Sequence, residues 1–155
     1  MTIQELGSIG EFVAAVAVLI SLFYLAYQIR QNTAELRLAS LRAVIGAYSN
    51  FRQSVVGSDE LAQLIELARL DPSSMSEAQI YRYGYFVEES VWCAQQLFIE
   101  IQAGQVPNTS WPYAKKRLLQ HLDNAIGKAW WEEWKGMYDL ELVAEIDRDL
   151  RQADA

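Results

Sequence analysis

The residues with the richest chemistry in this sequence are few and scattered. His121 is the only histidine and Cys93 the only cysteine. A multi-histidine metal site or an H-E-x-x-H arrangement is therefore impossible, and a metal would have to be held by carboxylates alone. Glu88, Glu89 and Glu100 share one helical stretch, but it contains none of the Glu-x-x-His units of di-iron bundles, so these side chains read as a solvated acidic face. Cys93 has no second cysteine with which to form an intramolecular disulfide. It sits among Val91, Trp92, Ala94 and Leu97 with no base nearby to lower its pKa, and reads as a packing residue. The patterns G-x-S-x-G, G-x-x-x-x-G-K-[ST] and G-x-G-x-x-G are all missing. No catalytic residue, metal ligand or cofactor is expected, and the chain reads as a non-enzyme.

Aromatic residues offer recognition chemistry instead. Trp130 and Trp134, four residues apart, share a helical face, and Trp131 points roughly 100° away. Indoles are costly to expose and frequent at interfaces. The three either pin a short helix to the core or present a surface to a partner, a ligand or the bilayer. A second set, Tyr83, Tyr85, Trp92 and Phe98, lies along one helix and is a candidate lining for an apolar pocket. Lys115-Lys116-Arg117, following Trp111 and Tyr113, is the densest basic cluster. It reads as an exposed helix face, with contact to anionic lipid headgroups as the alternative.

The strongest organising signal is N-terminal. Phe12 to Tyr27 is sixteen residues without a charge, and Ser8 to Ile29 extends the run to 22 if Glu11 and Gln28 are tolerated near its ends. At about 1.5 Å per residue this crosses about 30 Å of hydrocarbon. Tyr24, Tyr27 and Arg30 suit the exit interface. Glu5 and Glu11 precede the run without Lys or Arg, whereas Arg30, Arg37 and Arg42 follow it, so the positive-inside rule places the remainder in the cytoplasm. A cleaved signal peptide would begin basic and end at a small-residue site, unlike this segment. A buried core helix of a soluble protein is the rival reading, since the uninterrupted run is short of eighteen residues. Gly10, Ala14, Ala17 and Ser21 form a stripe of small residues, a candidate surface for close helix packing in lipid.

Downstream the chain reads as helices only. No Pro or Gly interrupts residues 30–45, so the first helix is expected to reach about Val56, carrying Ala34, Leu38, Leu41, Ile45, Tyr48 and Val55 as an apolar stripe. The stripe suits packing onto other helices; a short parallel coiled coil is the alternative. Ser58 is placed to cap a helix to Leu70, and Ser76 with Gln79 forms a capping box opening a long helix that Gly104 ends. Ser110 or Thr109 is expected to cap the next helix, with Pro112 early in it. Gly127 is expected to separate that helix from the tryptophan segment, and Asp139 to cap a final one. The expected fold is all-α: one N-terminal transmembrane helix continuing into a bundle of about five helices, divided as 1–29 anchor and 30–155 helical domain.

The sequence resembles a group of small, uncharacterised bacterial proteins with one N-terminal transmembrane helix and a C-terminal double-tryptophan motif. The resemblance rests on I-G-E followed by apolar residues and S-L-F-Y-L-A-Y-Q-I-R-Q-N-T (residues 9–33), D-E-L-A (59–62) and G-K-A-W-W-E-E-W (127–134). It covers most of the chain and implies topology and helical content, with no functional residues to carry over.

Composition bounds the rest. The 155 residues are 52% hydrophobic and 12% aromatic, too apolar for a disordered chain, and long enough for one core beyond an anchor. A net charge of −7 and a pI near 4.7 argue against nucleic acid as a partner. The expected role is a membrane-anchored, non-enzymatic interaction or accessory protein in the cell inner membrane. It would be single-pass, with the N-terminus outside, and its partners are expected to be the membrane and a second copy or another membrane protein. The alternative is a ligand-binding sensor with an apolar, aromatic-lined pocket.

Overall fold

The computed structural model describes residues 3–153; the side chain of Glu5, part of the acidic flank before the apolar run, lies outside the described residues. These residues form an all-α protein of six α-helices, with no strand among them. Helix α1 runs from Ile3 to Val56, α2 from Asp59 to Leu70, α3 from Glu77 to Gln102, α4 from Trp111 to Leu122, α5 from Ala125 to Trp134 and α6 from Leu140 to Ala153. Short 3-10 turns at Pro72–Ser74, Asn108–Ser110 and Lys135–Met137 join them.

The chain divides into two units, residues 1–39 and 40–155. The division falls beyond the 29/30 boundary set by the end of the apolar run, because every residue from 9 to 39 is exposed and inward packing begins only at Ser40. In the first unit α1 is one helix long and apolar enough to cross a membrane, and none of its most apolar stretch is buried. Phe12 is 70% exposed, Ile20 64% and Phe23 76%. Four of its polar side chains bond within the helix. The Ser21 hydroxyl donates to the Ala17 carbonyl and the Thr33 hydroxyl to that of Ile29, each at 2.8 Å. Gln28 donates to the Tyr24 hydroxyl at 3.2 Å and Gln31 to that of Tyr27 at 2.9 Å.

The second unit is built around α3. Val87 and Val91 are completely enclosed there, with Tyr83, Ala94 and Leu97 beside them. Leu118 and Leu122 of α4, Trp131 of α5 and Leu142 and Ile146 of α6 close over them. From α1, Val44 is buried, while Leu41, Tyr48, Phe51 and Val55 pack partly against the core. Leu41, Tyr48 and Val55 of the α1 stripe thus pack within the chain. Ala34 and Leu38 of that stripe remain exposed, as does Ile45.

Local chemistry sets the ends. Ser58 accepts from the Leu61 amide, and Ser76 with Gln79 makes both bonds of a capping box. Gly104 follows α3 with φ +68, a left-handed conformation that glycine takes without steric cost. Asp139 accepts from the Glu141 and Leu142 amides. Two expectations need correction. Ser110 does occupy the N-cap position of α4, but at the end of a 3-10 turn and without the expected side-chain capping bond, and Thr109 lies within that turn. Gly127 does not separate helices. It lies within α5, capped by Asn124, where its missing side chain permits close packing on the end of α4: a Cβ there would stand 2.6 Å from the His121 carbonyl oxygen.

Candidate functional site

Three helices meet at the His121 carbonyl. It accepts from the Tyr83 hydroxyl of α3 at 2.8 Å and from the Asn124 amide at 3.0 Å, and Asn124 also donates to the Tyr83 oxygen at 2.8 Å. The other end of the Asn124 side chain accepts from the Ile126 and Gly127 amides. The His121 ring shares a 2.8 Å hydrogen bond with Ser90 and lies edge-on to Phe86 and Phe51. Burial, with the Arg117 charge adding, lowers its pKa from 6.5 to about 4, so the ring is neutral near neutrality. Burial also pushes the Tyr83 hydroxyl up, against the bond from Asn124. With backbone groups and Ser90 occupying its polar atoms, this node braces the fold. Cys93 is likewise interior, its thiol pushed up to about 11 by burial and by Glu89.

The tryptophans part company. Trp131 is fully enclosed, its indole N–H donating to Asp147 at 2.8 Å. Burial raises the Asp147 carboxyl, but the bonds from Trp131 and Lys135 more than offset this and leave it below its ordinary value. Trp131 is therefore the pin that holds α5 to α6 and is unavailable to a partner. Trp134 is 43% exposed, and Trp130 is half-buried.

Trp130 and Trp134 form one wall of an open groove of about 600 Å³ between α3 and α5. The facing wall is Ile80, Tyr81, Tyr85 and Glu88 of α3, and Glu133, Met137 and Tyr138 complete it. Gly84 makes the floor: a Cβ there would lie 3.2 Å from Trp130 Cδ1, so the indole lies directly on the α3 backbone. The Tyr81 and Tyr85 hydroxyls are 2.8 Å apart and their rings perpendicular, at 5.0 Å. The bond to Tyr81, with its charge and that of Glu88, raises the Tyr85 hydroxyl. Tyr138 stacks on Trp131 and meets Trp92 edge-on, and burial with the Glu88 charge pushes its hydroxyl up to about 12.

Of the residues expected to line a pocket along one helix, only Tyr85 reaches this groove. Tyr83 faces the opposite way, into the core, Phe98 packs on Trp111, and Trp92 stands outside against Tyr138. The groove is made by α3 and α5 together. Tyr81, Glu88, Glu133, Met137 and Tyr138 are its unforeseen members, and the small residue at Gly84 opposite the tryptophan segment was the available sign.

The basic cluster is not one patch. Lys115 is paired with Glu145 at 2.7 Å and Asp149 at 2.8 Å on α6, which raises its pKa, and buried Trp111 donates to the same Glu145 at 2.9 Å. Lys116 and Arg117 stay exposed. Gly10, Ala14 and Ala17 are exposed along α1, as is Ser21. Among the described residues no group of His, Cys, Asp or Glu is placed to hold a metal ion.

Together these features define a class: an all-helical protein with one exposed, membrane-length apolar helix and a small bundle carrying an aromatic groove. Comparisons with known protein families, with curated proteins and with solved structures return no match for the chain.

Proposed function

We propose that the protein is a single-pass membrane-anchored accessory protein whose helical bundle works at the cytoplasmic face of the inner membrane by binding rather than by catalysis. The observation that carries this reading is the complete exposure of residues 9–39, including the uncharged stretch 12–29. Apolar surface costs about 25 cal/mol for each Å² left in water, and an exposed helix of this length demands a cover. A bilayer supplies one of matching thickness, since 18 residues span roughly 27 Å. The Tyr24–Gln28 and Tyr27–Gln31 pairs stand at the end followed by Arg30, where polar groups belong at the interface. Arg30, Arg37 and Arg42 favour the cytoplasmic side for residues 40–155. The small-residue stripe at Gly10, Ala14, Ala17 and Ser21 suits a second copy or another membrane protein as the partner. The test is fractionation of the full-length protein with a C-terminal tag. It should resist carbonate extraction from membranes, and the tag should be protected from protease added to intact spheroplasts. Release into the soluble fraction, or digestion of the tag, would sink the reading.

A second reading, a ligand-binding domain on the same anchor, is favoured by the groove between α3 and α5. Trp134 leaves 43% of its surface exposed beside the groove, and concave, aromatic-lined clefts are common ligand sites. Saturable quenching of tryptophan fluorescence by small molecules would support it; a uniformly flat screen of apolar and cationic compounds would remove it.

A further inference from the structure

We infer that the groove between α3 and α5 binds a small organic cation with a quaternary ammonium head, held between the faces of Tyr81, Tyr85, Trp130 and Trp134 and balanced by Glu88 and Glu133. The inference rests on the ligand-binding reading of the groove and deepens it.

Charge is the first argument. The lining contains two carboxylates and no Lys or Arg. The basic side chains on neighbouring turns are engaged elsewhere. Arg82 pairs with Glu60 at 3.0 Å, and Lys135 is held by Glu132 at 2.8 Å and Asp147 at 3.1 Å. Among the described residues neither Glu88 nor Glu133 has an ion-pair partner, so the groove carries uncompensated negative charge.

The second argument is the walls. Aromatic rings present a negative face to a cation, tryptophan most strongly, and several rings around one centre form the recognised cage for methylated ammonium groups. Here Tyr81 and Tyr85 stand perpendicular to one another, the Trp130 indole is laid on Gly84, and the rings of Trp130 and Tyr138 are 6.3 Å apart. Ile80 and Met137 add apolar surface for N-methyl groups. A primary ammonium keeps its tightly held water and wants directed acceptors. A quaternary head has no N–H to satisfy and fits rings and methylenes with two nearby charges. The volume, about 600 Å³, suits a small molecule.

The test uses the full-length protein in dodecyl maltoside, titrated with choline and with its neutral alcohol isostere in which carbon replaces nitrogen. Binding is read by calorimetry and tryptophan fluorescence. Choline should give a saturable signal, with the isostere weaker by about tenfold or more. The Glu88→Gln/Glu133→Gln double variant should weaken choline binding by a similar factor while its thermal melting is unchanged, and Trp134→Ala should abolish the fluorescence response. Equal affinity for choline and the isostere would overturn the cation inference and leave an apolar ligand site standing. No saturable binding of either would overturn both. Choline binding undiminished in the double variant and in Trp134→Ala would place the cation elsewhere and overturn the assignment.

Discussion

Replacing Gly127 with alanine and Gly46 with alanine should move stability in opposite directions, though both glycines are helical. At Gly127 the added Cβ would lie 2.6 Å from the His121 carbonyl oxygen and 2.9 Å from both Cα and the carbonyl oxygen of Leu122. These are backbone atoms of α4, so no side chain can turn aside, and the two helices must separate by roughly half an ångström or more. That movement strains the bonds from Tyr83 and Asn124 to the same carbonyl. Overpacking of this kind costs about 1–3 kcal/mol, against which the higher helix propensity of alanine returns up to about 1 kcal/mol. The expected net loss is about 2 kcal/mol at the upper end of that range. At Gly46, within α1, nothing lies within 4 Å of the built Cβ. Only propensity and unfolded-state entropy act there, and a gain of about 0.5–1 kcal/mol is expected. The assay is equilibrium urea unfolding of the full-length protein in mild detergent, followed by tryptophan emission. All five tryptophans lie between residues 92 and 134 and report on the bundle. The midpoints should move apart about the wild type with unchanged slopes. A Gly127→Ala protein stabilised like Gly46→Ala would refute the packing argument for α4 and α5.

Three further outcomes are expected. His121 titrates at about 4 in the fold and near 6.5 when unfolded; the unfolded chain therefore binds the extra proton between those values. Stability should be full above pH 6.5 and fall as pH drops toward 4, by on the order of 3 kcal/mol, and a His121→Gln protein whose stability curve runs parallel to the wild type through that window would contradict this. The Tyr48 hydroxyl is buried without a hydrogen-bond partner among the described residues, so Tyr48→Phe should keep or raise stability by about 1 kcal/mol; a clear loss in thermal melting would show that the hydroxyl is satisfied. Leu19→Arg puts a charge in the middle of the apolar run at about 2.5–3.5 kcal/mol on insertion scales, and the variant should leave the membrane fraction; unchanged sedimentation with membranes would count against the span.

Much of the helical plan was readable along the chain because its signals are local. The unbroken run to Val56, the capping box at Ser76, the cap at Ser58 and the stop at Gly104 each depend on residues within one turn of one another. The role of Gly127 was not, because it is decided by neighbours in space. Asn124 outcompetes glycine as the boundary by bonding two amides, the nearby His121 carbonyl and the distant Tyr83 hydroxyl at once. The same limit applied to the groove. Helical spacing separates Trp131 from Trp130 and Trp134, but only the position of Asp147 on α6 decides which side is interior. Tyr83 and Tyr85, two residues apart, point to different sides of α3, and only the packing of the other helices decides which of them faces the core.

Cys93 has a use that follows from its surroundings. It is 3% exposed, and its thiol is poorly ionised at neutral pH. An alkylating reagent must therefore wait for α3 to part from its neighbours, and with a single thiol in the chain every modification event counts one such opening. The rate of labelling in native conditions becomes a clock for the rarest excursions of the bundle. It can be read inside a membrane preparation where calorimetry and denaturant titration are hardest to apply.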